Sequence, residues 1–247
     1  MQTIYSEQYT IHSYEADYKG KASFLSLCNF LQEVAWKHAE IMGLGYSHLI
    51  KKDLIWIMLR QSISVKQYPD WGDKIIVKTW PSGFDKLFCY RKFEIFDSEN
   101  NVLAEAIFTW MVIDLKSKRP QRTESYFFAE LPDEFMMIPK TLPPKLDKDI
   151  NGKLTSTIDV TVTDLDVNNH VNNVTYIKWI IDSLTLEFHN ENELIQLHTN
   201  FLAEATYGDK VDIYLNEGSD SKHNIVLQRQ SDCKPLYLAE LKWGKVK

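Results

Sequence analysis

The chain has 247 residues, of which 44% are hydrophobic and 25% are charged, and its formal net charge is −6 at pH 7. This composition is typical of a folded globular protein with one large or two small domains. The negative charge argues against general affinity for nucleic acid or for an anionic membrane. The N-terminal residues show no basic segment followed by an apolar run, so we expect a cytoplasmic protein without a membrane span.

The first half predicts one long helix and about four antiparallel strands. Residues 9–15 suggest a first strand, and residues 17–22 suggest a loop. Apolar residues at spacings of three and four predict a helix from Phe24 to Met42, with Ser23 as its N-cap. Runs rich in Ile, Val, Phe and Trp then predict strands at residues 54–65, 74–80, 87–96 and 102–115.

Residues 130–153 are predicted to be a linker. The periodic pattern stops there, and Pro132, Pro139, Pro143 and Pro144 fall in this interval. Proline removes a backbone donor and restricts φ, which disfavours both helices and central strands. We therefore expect an N-terminal repeat over residues 1–129 and a C-terminal repeat over residues 154–247.

The second half repeats three motifs of the first half in the same order. Asp17–Ser23 has the spacing of Asp166–Asn172, Trp71–Asp73 returns as Tyr207–Asp209, and Leu103–Ala106 returns as Leu238–Leu241. An antiparallel sheet with one apolar face can bury that face against a single long helix. The sequence therefore predicts the α+β class and a tandem, or double, hotdog fold with two repeats of a long central helix on an antiparallel sheet.

Three polar residues in the second repeat, Asp166, Asn168 and His170, are candidate catalytic groups. In an extended segment they would point to the same side. An apolar stripe of Val174, Ile177, Ile181, Leu184 and Phe188 predicts that a helix follows, and its N-terminal N–H groups could hold an oxyanion. An imidazole can accept a proton from water near neutral pH, and Asp166 is the candidate acid to orient it. Asn168 could position water or a carbonyl group.

The alternative for this stretch is an Asn-rich turn that caps a helix. The first repeat has Lys19 and Lys21 in place of Asn168 and His170, so we expect one catalytic site per chain. Glu204, just before a turn at Gly208, is either a second catalytic carboxylate or an exposed charge at a strand end.

Other hydrolytic and metal sites have little support in the sequence. No G-x-S-x-G motif and no H-x-x-x-H pair is present. The three cysteines, Cys28, Cys89 and Cys233, are widely spaced, which indicates free thiols and no zinc motif. We expect no cofactor and no metal, and we expect water to be the nucleophile.

Several motifs resemble the plant and bacterial acyl-acyl carrier protein (acyl-ACP) thioesterases. They are DLDVNNHVNNVTYIKWI, Asn29-FLQE, Leu54-IW and Tyr68-PDWGD, and together they extend over nearly the whole chain. The resemblance implies a double hotdog that hydrolyses fatty acyl-ACP, with Asp166, Asn168, His170 and Glu204 as catalytic residues. Plant members commonly have a cysteine after the glutamate, whereas this chain has Ala205, which excludes a cysteine nucleophile at that position.

The same resemblance implies an acyl-chain pocket in the N-terminal repeat and the acidic carrier protein as partner. Candidate pocket residues, each also interpretable as plain core, are Phe30, Leu31, Met42, Trp56 and Met58. Candidate docking residues, also interpretable as a solvated loop, are Lys116, Lys118, Arg119 and Arg122, or Arg91 and Lys92.

Two alternative functions stay open at this stage. One is an acyl-CoA thioesterase of the same fold, and the other is a non-catalytic acyl-thioester sensor. Whether His170 or Glu204 takes the proton from water is also open. Two hotdog repeats in one chain are compatible with a monomer or with a homodimer.

Overall fold

The computed structural model describes residues 3–122, 135–148, 152–219 and 221–246. The chain divides into two compact units, Met1–Pro143 and Pro144–Lys247, called unit 1 and unit 2 below. Within the predicted linker, residues 130–134 and 149–151, including Pro132, lie outside the described residues. In the part of the chain that the structure describes, no helix combines the length and the apolar character needed to cross a membrane.

Unit 1 contains the predicted long helix, α1 (Phe24–Ile41), and a short helix α2 (Tyr46–Leu49). The predicted N-cap is confirmed, because the Ser23 hydroxyl accepts from the Ser26 N–H at 3.0 Å. Such a cap contributes about 1 kcal/mol to helix stability. The buried face of α1 includes Leu27, Leu31 and Val34. Helix α1 packs against two strands of the sheet, Tyr5–Thr10 and Lys74–Asp85.

In the described part of unit 1 the sheet has five antiparallel strands, the same number that the sequence predicts. They are β1 (Tyr5–Thr10), β2 (Leu54–Val65), β3 (Lys74–Asp85), β4 (Phe88–Phe96) and β5 (Val102–Asp114). Their spatial order is β1-β3-β4-β5-β2. The first strand begins four residues earlier than predicted and overlaps the predicted range 9–15 only at Tyr9 and Thr10. It ends early because the chain turns after His12, where the Glu15 N–H donates to the His12 carbonyl at 3.0 Å. The other four strands lie at the predicted positions, with small differences at their ends.

Unit 2 likewise has five antiparallel strands among its described residues. They are β6 (Lys153–Asp159), β7 (Asn192–Phe201), β8 (Lys210–Glu217), β9 (Lys222–Arg229) and β10 (Lys234–Lys245), in the spatial order β7-β10-β9-β8-β6. Helix α3 (Asn173–Asp182) lies on this sheet through Tyr176, whose ring stacks on Tyr237 of β10 at 5.2 Å. The predicted α+β class with two helix-and-sheet repeats is confirmed.

The predicted second helix is shorter in the structure, because the chain breaks between α3 and α4 (Leu186–Glu191). The Ser183 hydroxyl donates to the Ile180 carbonyl at 2.7 Å, and the Thr185 hydroxyl accepts from the Phe188 N–H at 3.2 Å. These side chains end one helix and begin the next. The apolar spacing from Val174 to Phe188 therefore continues across a break that periodicity alone does not reveal.

Candidate active site

Residues 166–170 form a tight turn, and not the extended segment that the sequence suggested. The Asp166 carboxylate oxygen Oδ1 accepts from the N–H groups of Asn168 at 2.8 Å and His170 at 3.4 Å. The Asp166 N–H in turn donates to the His170 carbonyl at 2.8 Å. Asn169 adopts a φ of 62°, a left-handed conformation that asparagine tolerates. The turn, and not strand alternation, brings the predicted residues together.

The turn leads directly into helix α3. The Asn172 N–H donates to the Asp164 carbonyl at 2.9 Å, and its side-chain oxygen accepts from the Val174 N–H at 2.9 Å. Asn172 is therefore the N-cap of α3, as the helix-capping alternative required. This role leaves the imidazole of His170 out of the cap.

The imidazole of His170 lies beside the carboxylate of Glu204. The distance from Nε2 of His170 to Oε2 of Glu204 is 3.2 Å, and the two side chains are 36% and 58% exposed. Glu204 lies in the loop after β7, which ends at Phe201, so the predicted strand position of this residue is wrong. Asp166 contacts the backbone of His170, whereas the acid at the ring is Glu204. A partly exposed His–Glu pair can take a proton from water.

The loop that holds Glu204 is tied to the His170 turn through Ala205. The Val171 N–H donates to the Ala205 carbonyl at 3.0 Å, and the Ala205 N–H donates to the Tyr176 hydroxyl at 2.9 Å. Ala205 is fully buried. The sequence did not indicate a role for Tyr176, because it lies among the apolar residues of the helix, where an aromatic residue suggests only core packing.

Two of the first backbone N–H groups of α3 already donate hydrogen bonds within the helix end. Val174 N–H is held by the Asn172 side chain and Thr175 N–H by the Asn172 carbonyl, both at 2.9 Å. An oxyanion at this helix end would therefore have to use the remaining first-turn amide, that of Asn173. The structure therefore leaves one first-turn amide for an oxyanion, where the sequence suggested several.

Cysteine and metal chemistry gain no support at this site. Cys28 and Cys89 are buried in unit 1, Cys233 lies in the turn between β9 and β10, and all three are free thiols. Over residues 3–122, 135–148, 152–219 and 221–246, no cluster of three or more metal-ligating side chains occurs.

Comparison with known proteins assigns the family. Residues 2–131 match the acyl-ACP thioesterase N-terminal domain, and residues 147–245 match the C-terminal domain of the same family. The chain belongs to the acyl-ACP thioesterase family. Both candidate residues of the His–Glu pair lie in the part that matches the C-terminal domain.

Curated relatives and solved structures of acyl-ACP thioesterases are similar to this chain. A palmitoyl-acyl carrier protein thioesterase from Cuphea hookeriana is 31% identical over 81% of the chain and 52% of its own length. One from Gossypium hirsutum is 29% identical over 94% of the chain and 60% of its own length. The chain thus spans about half to three fifths of these relatives.

A crystal structure of an acyl-ACP thioesterase from Bacteroides thetaiotaomicron superimposes with a TM-score of 0.89, at 22% identity over 98% of each chain. At that identity the comparison shows the fold. Together with the two five-stranded units it confirms the tandem hotdog predicted from the repeated motifs.

The predicted pocket residues of this acyl-ACP thioesterase family member all lie in unit 1. Met42 and Trp56 belong to one apolar cluster with Leu49 and Leu54, and the Trp56 indole N–H donates to the Leu44 carbonyl at 2.8 Å. The other three, Phe30, Leu31 and Met58, are buried. Burial fits both a pocket wall and plain core, so their contact with an acyl chain stays a prediction.

The two predicted docking surfaces differ. Lys116, Lys118, Arg119 and Arg122 are exposed, and the ammonium group of Lys116 pairs with the Asp53 carboxylate. Arg91 instead points to α1, where its guanidinium donates to Nδ1 of His38 at 2.9 Å, and burial lowers the pKa of Arg91 to about 10. Arg91 is therefore wrong as a docking residue, because its charged group is engaged inside unit 1.

Proposed function

We propose that this chain hydrolyses the thioester of fatty acyl-ACP to free fatty acid and holo-ACP. The observation that carries the proposal is the contact of 3.2 Å between Nε2 of His170 and Oε2 of Glu204, at a turn within the family's C-terminal domain. Relatives that match this chain are named as palmitoyl-acyl carrier protein thioesterases, which supports the carrier-bound substrate.

In the proposed reaction a water molecule attacks the carbonyl carbon of the thioester. An imidazole that donates its Nε2–H to the Glu204 carboxylate has its lone pair on Nδ1, so we assign the water proton to Nδ1 of His170. The new C–O bond turns the carbonyl into an oxyanion. When the oxyanion collapses, the C–S bond breaks and the proton passes to sulfur, which yields the fatty acid and the thiol.

The other two predicted catalytic residues have different roles in this proposal. Asp166 holds the turn by accepting from two backbone N–H groups, so it positions His170 without contacting the imidazole. The Asn168 side chain is exposed beside it, where its amide can donate to the water or to the carbonyl oxygen of the substrate.

The acyl chain and the carrier would bind through different features. Each buried methylene contributes about 0.8 kcal/mol, so an apolar pocket in unit 1 can supply much of the binding energy for a long chain. The remaining candidates for contact with the acidic carrier are the half-buried Lys92 and the exposed residues Lys116, Lys118, Arg119 and Arg122. The cytoplasmic location predicted from the sequence stays a prediction.

The test measures fatty acid released from acyl-ACP thioesters of several chain lengths, including palmitoyl, beside the matching CoA thioesters. We expect faster hydrolysis of the carrier substrates and loss of that activity in His170→Ala. The matched control is Lys21→Ala, which changes the equivalent residue of unit 1 and should retain the wild-type rate.

The alternatives predict other outcomes of the same experiment. Equal or faster hydrolysis of the CoA thioesters would favour an acyl-CoA thioesterase. A folded wild-type chain that binds the thioesters without hydrolysing them would favour the sensor. Wild-type rates in His170→Ala would contradict the assigned site.

A further inference from the structure

The backbone of Ala205 connects the two sides of the His–Glu pair. Its carbonyl accepts from the N–H of Val171, the residue after His170, at 3.0 Å. Its N–H group, on the residue after Glu204, donates to the Tyr176 hydroxyl at 2.9 Å. Because both bonds are one residue away from the pair, they constrain the backbone of Glu204 relative to that of His170.

The same connection in unit 1 lacks the hydroxyl. There the Ala22 N–H donates to the Pro69 carbonyl at 2.8 Å, in the place of the bond between Val171 and Ala205. Proline has no N–H group, and the residue of α1 equivalent to Tyr176 is the buried Leu27. Unit 1 has lysines in place of Asn168 and His170. Because Pro69 has no N–H group, unit 1 has no use for a hydroxyl at the position of Leu27.

The geometry points to Tyr176 as a positioning residue for the proposed hydrolysis. Its hydroxyl holds the Ala205 N–H and thereby keeps the carboxylate of Glu204 within reach of His170. This inference rests on the proposed function, and it adds a residue on α3 to the four that the sequence indicated.

The surroundings of Tyr176 support a fixed and neutral hydroxyl. Its side chain is 2% exposed, and its ring is held between Tyr237, stacked at 5.2 Å, and Phe201 and Trp179, both in edge contact. Burial above all, with a smaller contribution from the Glu204 carboxylate, raises the pKa of Tyr176 to about 12. A tyrosine that stays protonated is no general base, so its contribution is geometric.

The first test compares Tyr176→Phe with Tyr214→Phe, a half-buried tyrosine on β8 in the same unit. Phenylalanine keeps the stacked ring and removes only the hydroxyl. We expect Tyr176→Phe to lower kcat about tenfold or more, with KM unchanged, since small misplacements of catalytic groups are costly. The Ala205 amide should exchange its hydrogen about tenfold faster, and Tyr214→Phe should change neither quantity.

A double-mutant cycle tests whether the effect passes through the Ala205 N–H. Ala205→Pro removes that donor and installs the residue found in unit 1 at the equivalent Pro69. In the Ala205→Pro background, Tyr176→Phe should cause little further loss of kcat. If Ala205→Pro does not fold, the kcat, KM and exchange data of Tyr176→Phe decide the question.

The outcomes separate this inference from the proposed function. A wild-type kcat in Tyr176→Phe, or a loss that is as large in Tyr214→Phe, would overturn the positioning role while leaving the hydrolase assignment intact. Full additivity in the cycle would also overturn it. A wild-type chain that hydrolyses no thioester would overturn the proposed function, and the role of Tyr176 with it.

Discussion

The turns before α1 and α3 share their backbone hydrogen bonds and differ in their side chains. In unit 1, Oδ1 of Asp17 accepts from the N–H groups of Lys19 at 2.8 Å and Lys21 at 3.2 Å. In unit 2, Asp166 makes the same two bonds to Asn168 and His170. The left-handed position is Gly20 in one turn, with a φ of 76°, and Asn169 in the other.

The loops that face these turns are also equivalent. The Asp70 N–H donates to Oδ2 of Asp73 at 2.9 Å, and the Thr206 N–H donates to Oδ2 of Asp209 at 2.9 Å. Counting back from these residues places Tyr68 at the position of Glu204.

The comparison separates the residues that shape the turn from the residues that are proposed to react. An aspartate that is present in both turns shapes the backbone, whereas the histidine and the glutamate are present in unit 2 alone. The repeated motif is consistent with a structural role of Asp166 in the turn, and the difference between the copies supports the proposal that His170 and Glu204 are the catalytic groups.

The largest expected effect is that of His170→Ala. Removing the imidazole should lower kcat by about 10²–10⁴, the usual contribution of a general base, while Lys21→Ala stays within about twofold of wild type. Single-turnover release of fatty acid measures both rates. A similar loss in the two variants would mean that the turns do not differ in the way proposed.

Glu204→Gln should have the next largest effect. Glutamine keeps an oxygen that can accept from the imidazole but removes the charge, so we expect kcat to fall by about tenfold to a hundredfold, less than in His170→Ala. Glu217→Gln, an exposed acid at the end of β8, is the control. A loss in Glu204→Gln that exceeds the loss in His170→Ala would make Glu204 the base.

Asp166→Ala and Asp17→Ala should lower the stability of the protein by similar amounts and should differ in their effect on activity. Each removes a carboxylate that accepts from two backbone N–H groups, so each should lower the free energy of unfolding by about 1–3 kcal/mol. Only Asp166→Ala should also reduce kcat, by about tenfold. Urea unfolding and the hydrolysis assay measure the two quantities, and equal kcat losses would contradict the division of roles.

The smallest effect concerns acid stability in unit 2. Burial lowers the pKa of His198 and of His223. The unfolded chain then binds protons at these sites more readily than the folded chain, so stability should fall as the pH drops below about 6.5. Urea midpoints should fall less on acidification in a His198→Gln/His223→Gln variant than in wild type or in His48→Gln, a control on an exposed histidine.

Much of the fold was predictable because its signals are local. Ser23 and the spacing of Leu27, Leu31 and Val34 locate α1 to within a residue or two. The break at Ser183 was not predictable from periodicity, since it depends on hydroxyl groups that bond to nearby backbone. The first strand was misplaced for a related reason, because a turn at His12 ends the extended backbone early.

The candidate site was predictable as a set of residues and not as an arrangement. The motif with Asp166, Asn168 and His170 stands out in the sequence, but the extended backbone assumed for it was wrong, and so was the partner assumed for the imidazole. The contact with Glu204 joins residues 34 positions apart, and no local pattern specifies such a contact.

The sequence by itself determined the two repeats, α1, four of the five strands of unit 1, and the polar motif, because caps, turns and apolar periods act over a few residues. Only the tertiary structure decided that Glu204 lies at the imidazole, that Arg91 points inward, and that Tyr176 holds the Ala205 N–H. These contacts depend on how a helix packs on its sheet, and packing brings together side chains that are distant along the chain.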